Sequence, residues 1–384
     1  MKQSKIPVVI MRGGTSKGIF IKAEDLPEDP ALRDQIVLRV FGSPDVRQID
    51  GLGGADPLTS KLAIIGKSAV PGADVDYTFG QVSYKAPTID YSGNCGNISS
   101  AVGPYAVDEG LVPAVEPVTT VRVYNTNTQK ILVEQVQVED GRAKVDGDYA
   151  IAGVPGTGAE VVVDFSGTAG AATGKLLPTG NVVDTIETAA FGPIGASLVD
   201  AANPVVFVRA KDLGMTGIET PAQIDENKQL LDALEEIRGK GAVLMGLTSD
   251  WEAAAREIPA FPMVAVVAPA QGYKDFTTGK DIGEGDVDFV SRLMFMQVTH
   301  KTYAGTATTC TGAAARIEGT VVQEAMAAKG RGHEPGSLIR IGHPAGVIGL
   351  NVEAEKTAGG WALVKAEVNR TARRIMEGTC YYHV

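Results

Sequence analysis

The segment Ser92-Gly93-Asn94-Cys95-Gly96-Asn97 is a turn of small and polar residues, and it runs directly into Ile98-Ser99-Ser100-Ala101-Val102. Glycine and asparagine favour tight turns, and the residues that follow predict the first turn of a buried helix. A thiol at such a position lies beside backbone N–H groups that have no helical carbonyl as partner. We therefore interpret Cys95 as the start of a buried helix in the N-terminal half.

The C-terminal half contains a similar segment, Cys310-Thr311-Gly312-Ala313, which predicts a second cysteine turn opening a helix over 314–328. Each half also has the same predicted order: strand, small turn, strand, helix, strands, cysteine turn. A shared order of this kind indicates an internal duplication. Two such halves facing each other would place Cys95 and Cys310 on opposite walls of one cleft.

Two glycine-rich loops precede the Cys95 turn. The first, Met11–Gly18, separates strands predicted at 6–10 and 19–21, so it is a strand–loop–strand and not a phosphate-binding P-loop. It is either a wide hairpin turn or an anion-binding loop in which the Thr15 and Ser16 hydroxyls face a ligand. The sequence leaves both interpretations open.

The second loop, Asp50–Ser60, leads into an apolar strand whose first residue is Lys61. A lysine at this position either reaches water from a sheet edge or is a buried amine available for proton transfer. The glycines and hydroxyls around it favour the second interpretation.

Other stretches predict the scaffold. Asp29-Pro30 predicts a helix start, because aspartate caps helices and proline suits their first position. Residues 286–298 carry apolar side chains at helical spacing and predict a second scaffold helix. The Gly/Ala/Thr-rich stretch 166–180 predicts an interdomain connection, which gives domains of 1–182, completed by the C-terminal segment near 372–384, and 183–371.

Composition narrows the class of protein. The 384 residues are 44% hydrophobic and 21% charged, as in ordinary globular proteins. A net charge of −11 argues against a nucleic-acid partner. No apolar stretch predicts a membrane span or a signal peptide, and three cysteines without close spacing predict free thiols. These features are typical of a cytoplasmic enzyme with no membrane partner.

Cofactor signatures are absent from the sequence. The four histidines are scattered and do not predict a metal site, and no dinucleotide-binding fingerprint occurs. We therefore expect a site without a metal or another cofactor. The histidines are His300, His333, His343 and His383.

The cysteine turns suggest a chemistry of their own. The N-terminus of a helix stabilises a thiolate and binds carboxylates. It also stabilises the enolate that forms when a proton leaves the carbon beside a carboxylate. A nearby base, Lys61 or Cys95, would move that proton. The alternative is that both cysteines are small apolar residues of the core.

Several segments of the sequence resemble a known family. The Cys-Gly-Asn turn, Asn203-Pro204 and the Cys-Thr-Gly-Ala turn resemble the diaminopimelate epimerase fold. The segments at 11–18, 50–61, 92–97, 342–344 and 370–378 are similar to its PrpF branch. That branch contains methylaconitate isomerases, oxalomesaconate tautomerases and methylitaconate Δ-isomerases. The last resemble the chain most, through 46–65 and 303–312.

The resemblance implies an α+β fold of two similar domains, each with strands wrapped around a central helix, and an active site in the cleft between them. It implies a cofactor-independent 1,3-proton transfer that shifts a C=C bond in an unsaturated dicarboxylate, with methylitaconate to dimethylmaleate as the first expectation. Methylaconitate, aconitate or oxalomesaconate are alternative substrates. An amino-acid epimerase and a non-catalytic carboxylate-binding protein are the other classes. A homo-oligomer is also implied.

The resemblance carries roles onto particular residues. Lys61 and Cys95 are the implied acid/base groups, without a division of labour between them. Ile98 and Thr311 stand where the epimerase pattern has glycine, which favours proton transfer on one face of the substrate over racemisation by two thiols. The substrate-binding candidates are Thr15, Ser16, Asn94, Gly96, Asn97, Cys310, Thr311, Gly312 and Ala313.

Overall fold

The computed structural model describes residues 3–330 and 336–383. The chain forms two compact units, one of Met1–Val163 with Arg370–Val384 and one of Asp164–Asn369. The C-terminal segment thus belongs to the first unit. The boundary expected from sequence, 182/183, falls inside the second unit.

The first unit is built mainly from strands, and their apolar residues point inward in alternation or, in β3, as a continuous buried run. The strands are β1 Ser4–Gly13, β2 Ser16–Lys22, β3 Lys61–Lys67, β4 Val75–Val82, β5 Ile89–Asp90, β6 Val118–Asn125, β7 Lys130–Glu139, β8 Arg142–Ala143 and β9 Glu160–Asp164.

Three helices accompany these strands. Helix α1, Pro30–Phe41, is capped by Asp29, whose side chain accepts a hydrogen bond from the Ala31 N–H, and Gly42 ends it in the left-handed region. The central helix is broken into α2, Gly96–Ser99, and α3, Val102–Asp108. It contacts β1 and β2 at its start and β6, β7 and β8 further on, so the strands surround it.

The second unit has its own set of elements. Its strands are β10 Asp184–Thr188, β11 Gly192–Ala201, β12 Asn203–Arg209, β13 Met263–Pro269, β14 Tyr273–Lys274, β15 Asp281–Ile282, β16 Phe289–Phe295, β17 Val298–Thr299, β18 Ile339–His343 and β19 Gly346–Thr357. Its helices are α4 Pro221–Asp225, α5 Lys228–Leu244, α6 Ala254–Glu257, α7 Gly305–Arg316 and α8 Val321–Ala327.

Strand pairing follows one pattern in both units. In the first unit β1–β2 is antiparallel, β2–β3 parallel, β3–β4 antiparallel, β4–β6 parallel and β6–β7 antiparallel. In the second unit β11–β12, β12–β13, β13–β16, β16–β18 and β18–β19 repeat that series. The predicted internal duplication is therefore confirmed in topology, and α7–α8 corresponds to α2–α3.

A long last strand, β20, Gly360–Tyr382, contributes to both units. Its first part pairs antiparallel with β19, where Glu367 lies opposite Asn351. Its last part pairs antiparallel with β1, where Tyr382 lies opposite Ser4. The fold is α+β with strands around a central helix in each unit, as the sequence predicts.

The predicted helix over 286–298 is wrong. The segment forms β16, which pairs antiparallel with β13 and parallel with β18. All seven residues of β16 are buried, so neither period 2 nor period 3.6 shows in the pattern. The internal duplication indicates a strand here, because β16 occupies in the second unit the position that β4 occupies in the first.

The predicted second cysteine turn is also wrong. Cys310 lies inside α7, which begins at Gly305 and ends at Arg316, and the predicted helix over 314–328 is divided between α7 and α8. The prediction fails because α7 contains a run of threonines, which are weak helix formers in water. Here they are buried and bond back to the preceding turn: Thr308 Oγ1 donates to Ala304 O at 2.9 Å, and Thr311 Oγ1 to Ala307 O at 2.6 Å.

Among the described residues, none of the helices combines the length and the apolar character that crossing a bilayer requires.

Replacing Asp29 by alanine removes the cap of α1 and should lower the free energy of unfolding by about 1 kcal/mol. Chemical denaturation measures the change. Glu28→Ala is the matched control, because this neighbouring carboxylate is also exposed but lies outside the cap position; equal effects of the two substitutions would contradict the capping role.

Candidate functional site

The Cys95 turn in the first unit has the predicted local geometry. Cys95 is the residue before α2, and the Ile98 N–H donates to its Sγ at 3.5 Å. The Cys95 N–H donates to Asn94 Oδ1 at 2.7 Å, and the Ser99 hydroxyl donates to the same oxygen at 3.2 Å. The Asn94 side chain therefore connects the Cys95 backbone with Ser99 in the first helical turn, and these bonds hold the thiol at the helix start.

The loop between β1 and β2 lies directly against this turn. A Cβ on Gly13 would be 2.4 Å from Asn97 O, and one on Gly14 would be 2.2 Å from Asn97 Oδ1. Gly14 also has φ +51°, a conformation that favours glycine. Only glycines allow the loop and the helix start to approach this closely, which answers the question of why the loop is glycine-rich.

Asn97 joins the loop to the C-terminal strand. Its Oδ1 accepts a hydrogen bond from Arg370 Nε at 3.1 Å, and its Nδ2 donates to Thr15 Oγ1 at 3.1 Å. A guanidinium only donates, so it fixes the orientation of the Asn97 amide and leaves the NH₂ group for Thr15. Three segments distant in sequence thus meet at one side chain.

Ser16 follows Thr15 at the start of β2. It is buried, and its Oγ has no hydrogen-bond partner within the part of the chain that the structure describes. Leaving a buried hydroxyl unsatisfied is costly, so Ser16 is a natural contact for a polar ligand. This observation favours the anion-binding interpretation of the loop over a plain hairpin turn.

Lys61 is buried at the start of β3 and is only 3% exposed. Its Nζ donates to Gln81 Oε1 at 2.8 Å and lies 5.3 Å from the centre of the Phe79 ring. Gln81 Nε2 donates in turn to Pro57 O at 3.2 Å and to Ser60 O at 3.1 Å. Lys61 is therefore a buried amine held by an amide, and not an edge residue reaching water.

Contacts across β2 connect Lys61 with the Cys95 turn. Gly18 pairs with Lys61 in the parallel register of β2 and β3. A Cβ on Gly18 would be 3.0 Å from Lys61 O and 2.9 Å from Ile98 Cδ1. The side chain of Ile98, three residues after Cys95, thus lies over the strand next to Lys61.

Strand β4 supplies a second connection. Tyr77, Phe79 and Gln81 alternate along it and therefore share one face. Gln81 and Phe79 contact Lys61, while Tyr77 interacts electrostatically with Cys95. The thiol and the amine consequently belong to the same interior of the first unit.

Positive charge accumulates beside the glycine loop. Burial lowers the pKa of Arg370 to about 10, and burial together with Arg373 lowers the pKa of Arg12. Arg12 Nη1 donates to Gly14 O at 3.0 Å and to Thr371 O at 2.7 Å. Such a cluster favours an anionic ligand, even though the whole chain is acidic.

A buried carboxyl group lies beneath the central helix. Glu134, on β7, accepts a hydrogen bond from the Gly103 N–H at 2.8 Å through Oε2, and its Oε1 has no partner among the described residues. Burial raises the pKa of Glu134 to about 8, although the Gly103 N–H opposes the rise. The carboxyl group is thus mostly protonated at neutral pH.

Several of these residues were not found from sequence. Gln81, Tyr77 and Glu134 sit in strands whose pattern predicts only alternation, and Arg370 lies within 370–378, which the sequence marks only as a segment similar to the PrpF branch. The signal available was the polar residue at an inward position of an otherwise apolar strand face, as at Gln81 and Glu134.

The structure brings together the predicted residues of the first unit: Thr15, Ser16, Asn94, Cys95, Gly96, Asn97 and Lys61. It places the four predicted residues of the second unit in the middle of α7, fully or nearly fully buried. The Cys310 thiol donates to Val199 O at 3.2 Å, and burial raises its pKa well above the ordinary value. The four residues are Cys310, Thr311, Gly312 and Ala313.

The topological counterpart of Cys95 is another residue. Ala304 precedes α7 as Cys95 precedes α2. Near the start of α7, Asn203 Nδ2 donates to Thr306 Oγ1 at 2.8 Å, much as Asn97 donates to Thr15. The duplication thus retains the hairpin-to-helix contact, and it does not place a thiol at the second helix start.

No group of three or more His, Cys, Asp or Glu side chains suited to a metal ion occurs within 3–330 and 336–383. His333, one of the four histidines considered above, lies outside the described residues.

A central helix ringed by strands in each unit is the arrangement of an epimerase-like fold, and solved structures share that fold. A methylitaconate-delta-isomerase has a TM-score of 0.80 and 59% identity over 100% of this chain and 96% of that chain. A hydroxyproline epimerase from Agrobacterium vitis has a TM-score of 0.57 at 14% identity, covering 98% and 92%. The second likeness concerns the fold alone.

Sequence comparisons identify the family of proteins to which the chain belongs. The family model described as PrpF protein matches residues 3–383. The chain is 60% identical to 3-methylitaconate isomerase of Eubacterium barkeri over 99% of this chain and 97% of the relative. It is 40% identical to 2-methyl-aconitate isomerase of Shewanella oneidensis, with coverages of 98% and 96%, and 38% identical to 4-oxalomesaconate tautomerase of Pseudomonas putida, also with 98% and 96%. The chain belongs to the PrpF family.

Gly14→Ala should destabilise the first unit by about 3 kcal/mol, because strain at positive φ adds to the overlap with Asn97. Gly72→Ala is the matched control: Gly72 has φ +83° with nothing within 4 Å of its Cβ position, so only the strain of about 1 kcal/mol remains. Urea denaturation compares them. Equal losses would show that the contact with Asn97 has no energetic weight.

Glu134→Gln should change how stability depends on pH. The pKa of the carboxyl group is about 8 in the folded protein, whereas the reference pKa for the unfolded chain is 4.5. The contribution of Glu134 to the free energy of unfolding is therefore complete below pH 4.5. It is lost as pH rises toward 8, by about 1.4 kcal/mol per pH unit. Glutamine does not titrate, so the variant should gain on the wild type from pH 5 to pH 8. Denaturation of both proteins across this range tests it, and a pH-independent difference would contradict it.

Proposed function

We propose that the protein is an isomerase that shifts a C=C bond by 1,3-proton transfer in an unsaturated dicarboxylate, with methylitaconate converted to dimethylmaleate. The observation that carries the proposal is the buried Lys61 amine, which is bound to Gln81 on the same face of β4 as Tyr77, the residue that interacts electrostatically with Cys95. The 60% identity to 3-methylitaconate isomerase supports the substrate.

The reaction needs only a proton to move. A base removes hydrogen from the carbon that carries one carboxylate and the methyl group. The electron pair passes through the neighbouring C=C bond as a dienolate, and a proton then adds to the terminal CH₂ carbon. Substrate and product are isomers, so no electrons leave the molecule and no co-reactant is consumed. We accordingly propose cofactor-independent catalysis.

Lys61 and Cys95 are the proposed acid/base groups. The Cys95 thiol lies at a helix start, where backbone N–H groups stabilise negative charge. The Lys61 amine is held by Gln81 in a buried position, and an amine is able both to accept and to donate a proton. Which of the two removes the first proton is a question for the variants below.

The glycine loop is the proposed binding site for a substrate carboxylate. Ser16 offers a buried hydroxyl with no partner among the described residues, and the backbone N–H groups of Gly96 and Asn97 lie in the first turn of α2, where no helical carbonyl accepts them. The arginines beside the loop add positive charge. Thr15, Asn94 and Asn97 hold this arrangement. Because Cys310 and its neighbours have interior contacts, the proposal leaves them out of the substrate-binding set.

We also propose a cytoplasmic homo-oligomer. Free cysteines support the compartment, and the family resemblance supports the assembly.

The test is hydrogen exchange from deuterated water into methylitaconate, followed by NMR. Lys61→Ala and Cys95→Ser should each reduce turnover by about 10²–10⁴-fold, the usual contribution of a general acid or base, and at least one of them should reduce exchange by a similar factor. Exchange that survives in one variant while turnover is lost identifies the remaining residue as the base for the first proton.

Two matched controls accompany these variants. Lys67→Ala removes an exposed lysine from the other end of β3, and Cys380→Ser removes a thiol of β20. Both should leave turnover near the wild-type value. Wild-type exchange in both Lys61→Ala and Cys95→Ser would refute the proposal, and activity on methylaconitate or oxalomesaconate alone would reassign the substrate.

A further inference from the structure

The second glycine-rich loop, Asp50–Ser60, has no part in the proposed reaction, yet it leads directly into Lys61. Two buried glutamines flank it. Gln48 precedes the loop in sequence, and Gln81 lies opposite Lys61 in the antiparallel register of β3 and β4. A buried amide is costly unless its hydrogen bonds are made, so the partners of the two glutamines show what the loop holds in place.

The Gln81 amide is oriented by the loop. Its Nε2 donates to Pro57 O at 3.2 Å and to Ser60 O at 3.1 Å. A primary amide has two N–H donors, so these bonds use both of them and fix which way the amide group is turned. The amide oxygen accepts from Lys61 Nζ at 2.8 Å. The loop carbonyls therefore determine that the amine meets an acceptor.

Gln48 holds the loop through a second set of bonds. Its Nε2 donates to Ser60 Oγ at 2.8 Å and to Ser43 Oγ at 3.0 Å. Its Oε1 accepts from the Ala55 N–H at 2.8 Å. Ser60 Oγ donates in turn to Val82 O at 2.9 Å. Ser60 is therefore the junction of the network, because its hydroxyl meets one glutamine and its carbonyl oxygen meets the other.

The glycines of the loop allow this packing. A Cβ on Gly53 would be 2.2 Å from the Gln48 side chain, and one on Gly54 would be 2.1 Å from Thr59 Oγ1. Gln48 and Ala55 have φ +46° and +56°, a conformation that is uncommon in residues other than glycine and persists where surrounding contacts enforce it. The loop is thus held in one conformation around the Gln48 amide.

We propose that the Asp50–Ser60 loop positions the Lys61 amine, and that Gln48, Ser60 and Gln81 form one hydrogen-bonded chain from the loop to Nζ. Gln81 is the positioning residue that contacts the amine, and Gln48 and Ser60 act through it. The inference rests on the proposed function in giving Lys61 a role in proton transfer. Misplacing a catalytic group by about 1 Å is able to reduce a rate by about 10²-fold. The position of the amine itself is independent of any substrate.

Gln81→Met tests the contact with the amine, because methionine keeps an unbranched side chain and offers only a weak acceptor. In this variant kcat for methylitaconate should fall by about 10²-fold while KM stays within about twofold, since a displaced acid/base group weakens the transition state and not substrate binding. Steady-state kinetics measure both constants. An unchanged kcat would overturn the proposal, and so would a rise in KM alone, because it would make Gln81 a binding residue.

Ser60→Ala tests the loop, because it removes a hydroxyl that accepts one hydrogen bond and donates one. Thr119→Val is the matched control. The buried Thr119 hydroxyl accepts from the Val115 N–H at 2.8 Å and donates to Val115 O at 2.9 Å. Both substitutions should lower the midpoint of urea denaturation similarly, but Ser60→Ala alone should lower kcat, by about tenfold, a typical coupling within one hydrogen-bond network. Equal kcat values would contradict the role of the loop.

Crystal structures of the three variants supply a readout without substrate. Lys61 Nζ lies 5.3 Å from the centre of the Phe79 ring. It should shift by about 1 Å or more in Gln81→Met and in Ser60→Ala, and keep its place in Thr119→Val. An unmoved Nζ in the first two variants would overturn the proposal. If no form of the protein turns over methylitaconate, the proposed function fails, while these structures still decide whether the loop positions the amine.

Discussion

The close approach between the glycine loop and the start of the central helix is the constraint on which the site depends. Gly13 and Gly14 have no Cβ, so the loop lies against Asn97 at a distance that any other side chain would occupy. Asn97 is then able to reach both Thr15 and Arg370. The Ser16 hydroxyl, the helix start and the positive charge of the last strand are consequently brought to one place. The Cys95 turn gains its orientation from this contact as much as from its own hydrogen bonds.

Much of this arrangement could be predicted from the sequence, because its signals are local. A small-residue turn before an apolar run predicts a helix start, and Asp29-Pro30 predicts a cap. Lys61 was recognisable as unusual because a charged residue begins an apolar strand. The repeated order of elements predicted the duplication, which the strand pairing confirms. These predictions succeed because backbone geometry and burial impose them within a few residues.

The remaining features depend on contacts between distant segments. A strand buried on both faces shows no periodicity, so the sequence predicts a helix over 286–298 where the structure has β16. Buried threonines satisfy their hydroxyls on the preceding helical turn, so the start of α7 was taken for a loop and Cys310 for a helix start. Gln81 and Glu134 acquire their meaning only from the amine and the helix that they contact. Partners of this kind are set by tertiary packing, which a single sequence does not reveal.

The long strand β20 has a consequence for the order of assembly during synthesis. The second unit is continuous in sequence and is inserted into the first between Val163 and Arg370. Its contacts become available once residue 369 has left the ribosome, and domains generally fold as units. The first unit, although it is synthesised earlier, lacks one of the two partner strands of β1 and the Arg370 guanidinium until β20 has emerged. The Asn97 contact is therefore among the last to form, and a nascent chain does not hold a finished site before its final strand is in place.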